Sequence, residues 1–142
     1  MSPDEHKAIV RRLVEEAQSR GQLHVIDELM SPDFVDHCPM PGIPANREGV
    51  KQIFGMFQTA MPDLHVTIHD QIAEADRVVT RKTLSGTHQG DLFGIPPTGK
   101  ALQIAVIDIL RLKDGRITDH WNLVDQQGLL QQLGLVPVAA QA

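Results

Sequence analysis

The chain has 142 residues, 42% of them hydrophobic and 22% charged, with a formal net charge of −5 when histidine is neutral. That length and balance suit one globular domain over 1–142 and exclude a disordered, collagen-like or disulfide-stapled chain. The 13 Lys and Arg form no basic block for nucleic acid, and no apolar run approaches the roughly 20 residues of a membrane helix. Met1-Ser2-Pro3-Asp4-Glu5 is acidic and lacks the apolar core of a signal peptide, and the single cysteine, Cys38, forbids an internal disulfide. The expected compartment is the cytoplasm. Tyrosine is absent, which removes one phenolic acid used by enolising enzymes.

The first segment reads as a helix. Ser2 caps it, Pro3 suits the first turn, Glu5 completes a capping box, and Ile9, Val10, Leu13, Val14 and Ala17 recur at helical spacing. Gly21 ends it. A shorter helix is expected over 22–30, broken by Ser31-Pro32-Asp33, and 34–44 reads as loop or short strand. Val50, Ile53, Phe54 and Phe57 give a third helix its apolar stripe over 47–60. From Leu64 the period becomes two. Strands are expected over 64–69, 78–86, 101–112 and 116–124, with a Gly/Pro-rich loop of fixed path over 89–100 and a hairpin at Asp114-Gly115. Asp125 caps a short last helix ended by Gly134, and 135–142 reads as a loose tail. Helices followed by strands imply an α+β fold, with the sheet curled round the helices and a pocket at its open end.

Chemistry is expected where a polar residue interrupts an apolar face. Strict alternation puts Asp119 with Ile117, Trp121 and Leu123, and His120 on the opposite face. A carboxylate so placed is partly desolvated and becomes a better base, or it is simply paired with a cation; the pattern leaves both open. Asp108 lies in a strand apolar on both faces, where a charge must be paired or line a pocket; Arg81 is a plausible partner. His37 and His88 sit beside Gly/Pro-rich loops and are candidates to hold an enolate oxygen. Trp121, Phe54 and Phe57 are candidate pocket walls, or ordinary core. No nucleotide loop, nucleophile elbow or zinc motif is present, so neither cofactor nor metal is expected.

The run 86–100, GTHQGDLFGIPPTGK, resembles a loop of SnoaL-like polyketide cyclases, and 108–121, DILRLKDGRITDHW, resembles their hairpin. Phe34-Val35-Asp36-His37 and Gln132-Leu133-Gly134 extend the resemblance over nearly the whole chain. It implies the cone-shaped α+β barrel of the nuclear transport factor 2-like superfamily. It also implies intramolecular aldol closure of a polyketide ester without metal or cofactor, with the family's acid/base carboxylate at Asp119. The expected enzyme therefore uses Asp119 as base, His88 or His37 as enolate stabiliser and Asp108 nearby, and acts on a small apolar carbonyl substrate. Epoxide or lactone hydrolysis, with water activated by Arg81, Asp108 and Asp119, is one alternative; a non-catalytic ligand binder is the other. The apolar strand 101–112 needs cover on both faces, so a homodimer through the sheet is expected.

Overall fold

Alternation along one long strand decides which way the sheet faces. In β4 (Ala101–Lys113), Leu102, Ile104, Val106, Asp108, Leu110 and Leu112 are buried, and six of the seven alternating residues are exposed, with Ile109 half-buried. The buried face meets helices. The computed structural model describes residues 1–137 of the chain. Helix α1 (Pro3–Arg12) runs on without a break as wider π-helical turns over Leu13–Ser19. Next come α2 (His24–Leu29), β1 (Met30–Asp36) and α3 (Arg47–Ala60). Strands β2 (His65–Glu74), β3 (Arg77–Thr87), β4 and β5 (Arg116–Val124) follow, then α4 (Gln126–Gln132).

The expected caps at Ser2 and Asp125 form, and Asn46 adds one that the sequence reading did not single out. Ser2 Oγ accepts from the Glu5 N–H at 3.1 Å, and Asn46 Oδ1 accepts from the Gly49 N–H at 3.1 Å. Gly21 closes the first helix at φ +75°, a conformation glycine adopts without steric cost. Val10, Leu13, Val14 and Ala17 then pack into one core with Val78, Leu84, Ile104, Leu110 and Ile117 from the sheet. Each such large apolar side chain contributes about 1.5–3 kcal/mol when fully buried.

The five strands form one open mixed sheet in the order β1-β5-β4-β3-β2, antiparallel except for β1 beside β5. The α+β cone with helices against a curled sheet is therefore present. Ser31-Pro32-Asp33 follows the end of α2 at Leu29, as expected of a helix breaker, and lies within a strand, β1, that begins at Met30. An edge strand tolerates proline because its missing N–H can face away from the ladder, and the β1–β5 register slips between Met30 and Val35.

The 89–100 loop is pinned as expected. The N–H groups of Gln89 and Gly90 both donate to the Ala60 carbonyl, and Leu92 bridges Ile95. Gly90 is needed here, since a Cβ would collide with the Thr59 carbonyl. Pro96 and Pro97 are exposed. Beyond the reach of β5, the Gln132 amide caps the free edge of β4, donating to the Gln103 carbonyl and accepting from its N–H, both at 2.7 Å. Residues 135–137 are irregular, and the rest of the expected tail, 138–142, lies outside the described residues. Among the described residues no helix is long and apolar enough to cross a membrane.

Candidate active site

A regular hairpin through Asp114-Gly115 would oppose Leu110 with Asp119. It does not, because β5 bulges: Leu112 opposes Ile117, but Arg111 opposes Asp119 and Leu110 opposes His120. A bulge puts two residues against one and reverses the facing of everything beyond it. Asp119, Trp121 and Leu123 consequently face away from the helices, while His120, Asn122 and Val124 face inward. The expectation that Asp119 shares a face with Ile117 is overturned by that one extra residue.

On the outer face Asp119 meets His37, as expected, with His37 Nε2 at 2.8 Å from Asp119 Oδ2. Thr118 Oγ1 donates to Asp119 Oδ1 at 2.6 Å, and Arg111 Nη1 lies 3.9 Å from that oxygen. The His37 ring stacks on Trp121 with centroids 4.5 Å apart and planes 5° from parallel, and the Arg77 guanidinium lies 5.0 Å from the Trp121 centroid. Hydrogen bonds from His37 and then Thr118 outweigh burial and hold the Asp119 carboxyl below its usual range. This is opposite to the raised pKa expected of a base. Beside this cluster runs an apolar groove of about 640 Å³, lined by Cys38, Ala105, Ile107, Ile109, Trp121 and Leu123 among others.

The inner face holds a second polar chain. Lys82 Nζ lies 2.8 Å from Asp108 Oδ2 and donates to Gln18 Oε1 at 2.7 Å. Lys82 and Asp108 expose only 6% and 3% of their side chains. His120 Nδ1 lies 3.1 Å from Asp36 Oδ1, and His120 Nε2 points to Asp108 Oδ2 at 4.0 Å. Asp36 and His120 keep 17% and 19% exposure, so this end of the chain is reached from solvent. Burial raises the Asp36 carboxyl, but hydrogen bonds from His120 and the Cys38 N–H outweigh it and the net shift is downward. An ionised Asp36 only accepts, so the hydrogen between them sits on Nδ1, and the other ring nitrogen, Nε2, faces the interior. The wide π-helical turns place Gln18 here, and Gln58 Nε2 donates to the freed carbonyls of Gln18 and Ser19.

The other expected site residues are dispersed. Arg81 does not pair with Asp108: it faces outward and donates to Asp70 Oδ2 at 2.6 Å. The buried partner is its neighbour Lys82. The water-activating set of Arg81, Asp108 and Asp119 is thus split between the two faces of the sheet. His88 is fully buried, but Thr87 opposes Ala101 whereas Asp119 opposes Arg111, ten residues further along β4 and roughly 30 Å at strand spacing. His88 Nδ1 accepts from the Thr98 N–H at 3.3 Å and lies 2.9 Å from Thr98 Oγ1, which ties down the loop. Phe57 is core, edge-on to Phe93 at 5.5 Å, and Phe54 packs partly buried against the core. Neither lines the groove with Trp121. Lys82, Gln18 and Asp36 were not expected as site residues, and His120 was expected to point away.

A helix-lined open cone with a polar chain reaching into its apolar interior defines the nuclear transport factor 2-like class of fold. Residues 8–133 match the SnoaL-like polyketide cyclase family, and the chain belongs to it. It is 31% identical over 135 residues to the aklanonic acid methyl ester cyclase AcmA of Streptomyces galilaeus, covering 92% of this chain and 91% of that one. It is 29% identical over 120 residues to the nogalonic acid methyl ester cyclase of Streptomyces nogalater, covering 83% of this chain and 90% of that one. Among solved structures, TsrD from Streptomyces laurentii superposes with a TM-score of 0.87 at 27% identity, covering 96% and 99% of the two chains.

Proposed function

We propose that the chain closes a ring in a polyketide ester by intramolecular aldol addition, without cofactor, and that the interior dyad of Asp36 and His120 is its acid/base. Membership of the cyclase family supports the reaction type. The observation that supports the residues is the 3.1 Å contact of Asp36 with His120 Nδ1, which turns Nε2 toward the cone interior. His120 Nε2 takes the proton α to a carbonyl, and the enolate carbon attacks a second carbonyl of the same molecule. The imidazolium then returns its proton to the new alkoxide. Asp36 keeps the ring in the basic tautomer and stabilises the imidazolium, while the cone folds the substrate into an attacking conformation.

The test is turnover of aklanonic and nogalonic acid methyl esters, the compounds named for the relatives. His120→Gln should lower kcat by about 10²–10⁴-fold, the usual worth of a positioned acid/base. Asp119→Asn should leave it within a few-fold. Loss of turnover in Asp119→Asn with retention in His120→Gln would return the acid/base role to the outer pair and sink this assignment.

The partner reading follows from the outer face. A second copy of the chain is the occupant that covers the groove and the exposed Ile107 and Leu123, making a homodimer through the sheet. A free and exposed Cys38 fits the reducing cytoplasm.

A further inference from the structure

Asp108 has a polar side chain diagonally across from it on each neighbouring strand. On β3, Lys82 opposes Val106, two residues before Asp108; on β5, His120 opposes Leu110, two residues after it. Diagonal neighbours on one face lie about 7–8 Å apart, within reach of long side chains. Both approach the same oxygen. Lys82 Nζ lies 2.8 Å from Asp108 Oδ2, whereas His120 Nε2 stops 4.0 Å from it, beyond hydrogen-bond distance. The ammonium is held from its other side by Gln18 Oε1 at 2.7 Å. Among the described residues, the charged groups around the imidazole are therefore Asp36 at Nδ1 from β1, Asp108 on the Nε2 side from β4, and Lys82 behind Asp108 from β3.

An imidazole between two carboxylates is driven to imidazolium, since each negative charge favours the charged ring. A ring so held has no free nitrogen with which to take a proton from carbon. Lys82 changes that balance. Its charge cancels that of Asp108 at the oxygen facing Nε2, and its hydrogen bond occupies that oxygen. Without Lys82, a buried Asp108 either ionises and draws a proton onto Nε2, or keeps a proton itself and donates it to Nε2. Both outcomes block that nitrogen.

We infer that Lys82 is a positioning residue for the proposed reaction: by holding Asp108 Oδ2 it keeps His120 Nε2 open to take the substrate proton. Gln18, brought inward by the π-helical turns, holds the lysine in turn. The buried pair thus has a task beyond the fold, although neither partner enters the aldol step. This rests on the reading of His120 as the base and names the residue that keeps that base free.

The test is the protonation of the His120 ring, read by long-range proton–nitrogen correlation NMR on the full chain at about pH 7.5, a unit above the ordinary histidine value. His120→Gln identifies the resonance by its loss. In the wild type Nε2 should resonate as an unprotonated ring nitrogen. Lys82→Gln keeps a polar side chain for Asp108 and Gln18 but removes the charge, and should move Nε2 toward the protonated position. Lys82→Met should do the same, and Lys82→Met/Asp108→Leu should return Nε2 to the unprotonated position. A pair that only supports the fold would leave Nε2 unmoved. An Nε2 already protonated in the wild type, or still unprotonated in Lys82→Gln, overturns the role, as does failure of both single variants to fold. The readout is a ring nitrogen, not turnover. Retained turnover in His120→Gln would remove the acid/base reading and leave the effect of Lys82 on Nε2 to be judged by itself.

Discussion

Lys82 and Asp108 show how strongly a buried charge constrains its neighbours. Each is nearly fully buried, and they lie 2.8 Å apart. Their attraction does little more than offset the loss of hydration, but removing one partner strands the other charge, at about 3–5 kcal/mol. Lys82→Met should therefore lower the unfolding free energy from urea titration by that amount, with a lower midpoint, and the double variant Lys82→Met/Asp108→Leu should recover most of it. An unchanged midpoint in Lys82→Met would contradict the buried pair. Asp119 differs in size and in pH dependence. It exposes 19% of its side chain and His37 exposes 38%, so solvent screens the pair to about 0.5–1 kcal/mol. Its carboxyl pKa is lowered in the folded chain, mainly by His37. The unfolded chain then binds the proton more readily. The stabilisation is complete above the ordinary value of 3.8 and is lost as pH falls through the lower folded value. Asp119→Asn should thus be less stable than wild type at neutral pH, with the gap closing below about pH 4 in paired urea titrations. A constant gap would mean that the carboxylate charge is not what His37 holds.

Among the elements, the helices and the four later strands are legible in the sequence because each carries a clean period and a stop signal. Ser2, Gly21, Asp125 and Asp114-Gly115 act where a local reading puts them. The site was legible only in part, because faces depend on register, and register depends on contacts far away in sequence. Asp108 could be assigned inward from the alternation of Leu102, Ile104, Val106, Leu110 and Leu112. His120 could not be assigned, because one bulged residue in β5 exchanges its face with that of Asp119. Lys82 was hidden because β3 has β-branched residues on both faces, Val78 and Thr80 inward and Val79 and Thr83 outward, so Arg81 and Lys82 were interchangeable by pattern. The loop shows local chemistry and long-range contact agreeing. Gly90 both breaks the strand period and allows the chain to touch α3 at the Thr59 carbonyl. Gly90→Ala should cost about 1–3 kcal/mol by overpacking in a thermal melt, and should speed amide exchange at His88 and Gly99, whose N–H groups hold the base of the loop. Wild-type melting and exchange would show that the close approach is not needed.

At the scale of the molecule, the two faces of the sheet have unlike tasks. The inner face carries the core and the polar chain with His120. The outer face carries apolar residues that the monomer leaves in water, with Leu123 at 82% and Ile107 at 49% exposure beside the groove floored by Ala105 and Ile109. Scattered exposed leucines need no explanation, but a groove of about 640 Å³ with large apolar residues along it does. A twofold interface is self-complementary, so one groove and one projecting side chain per subunit suffice: Leu123 of each copy can enter the groove of the other. The stack of Arg77, Trp121, His37 and Asp119 then fixes one wall of that groove, which gives the outer pair a structural task. The wild type should run as a dimer in light scattering at micromolar concentration. Leu123→Asp puts a charge where the partner would desolvate it and should give a monomer with an unchanged circular dichroism spectrum. Because His120 faces the other side of the sheet, the monomer should retain turnover. A monomeric wild type, or a Leu123→Asp variant that still dimerises, would show that a second copy does not cover this face.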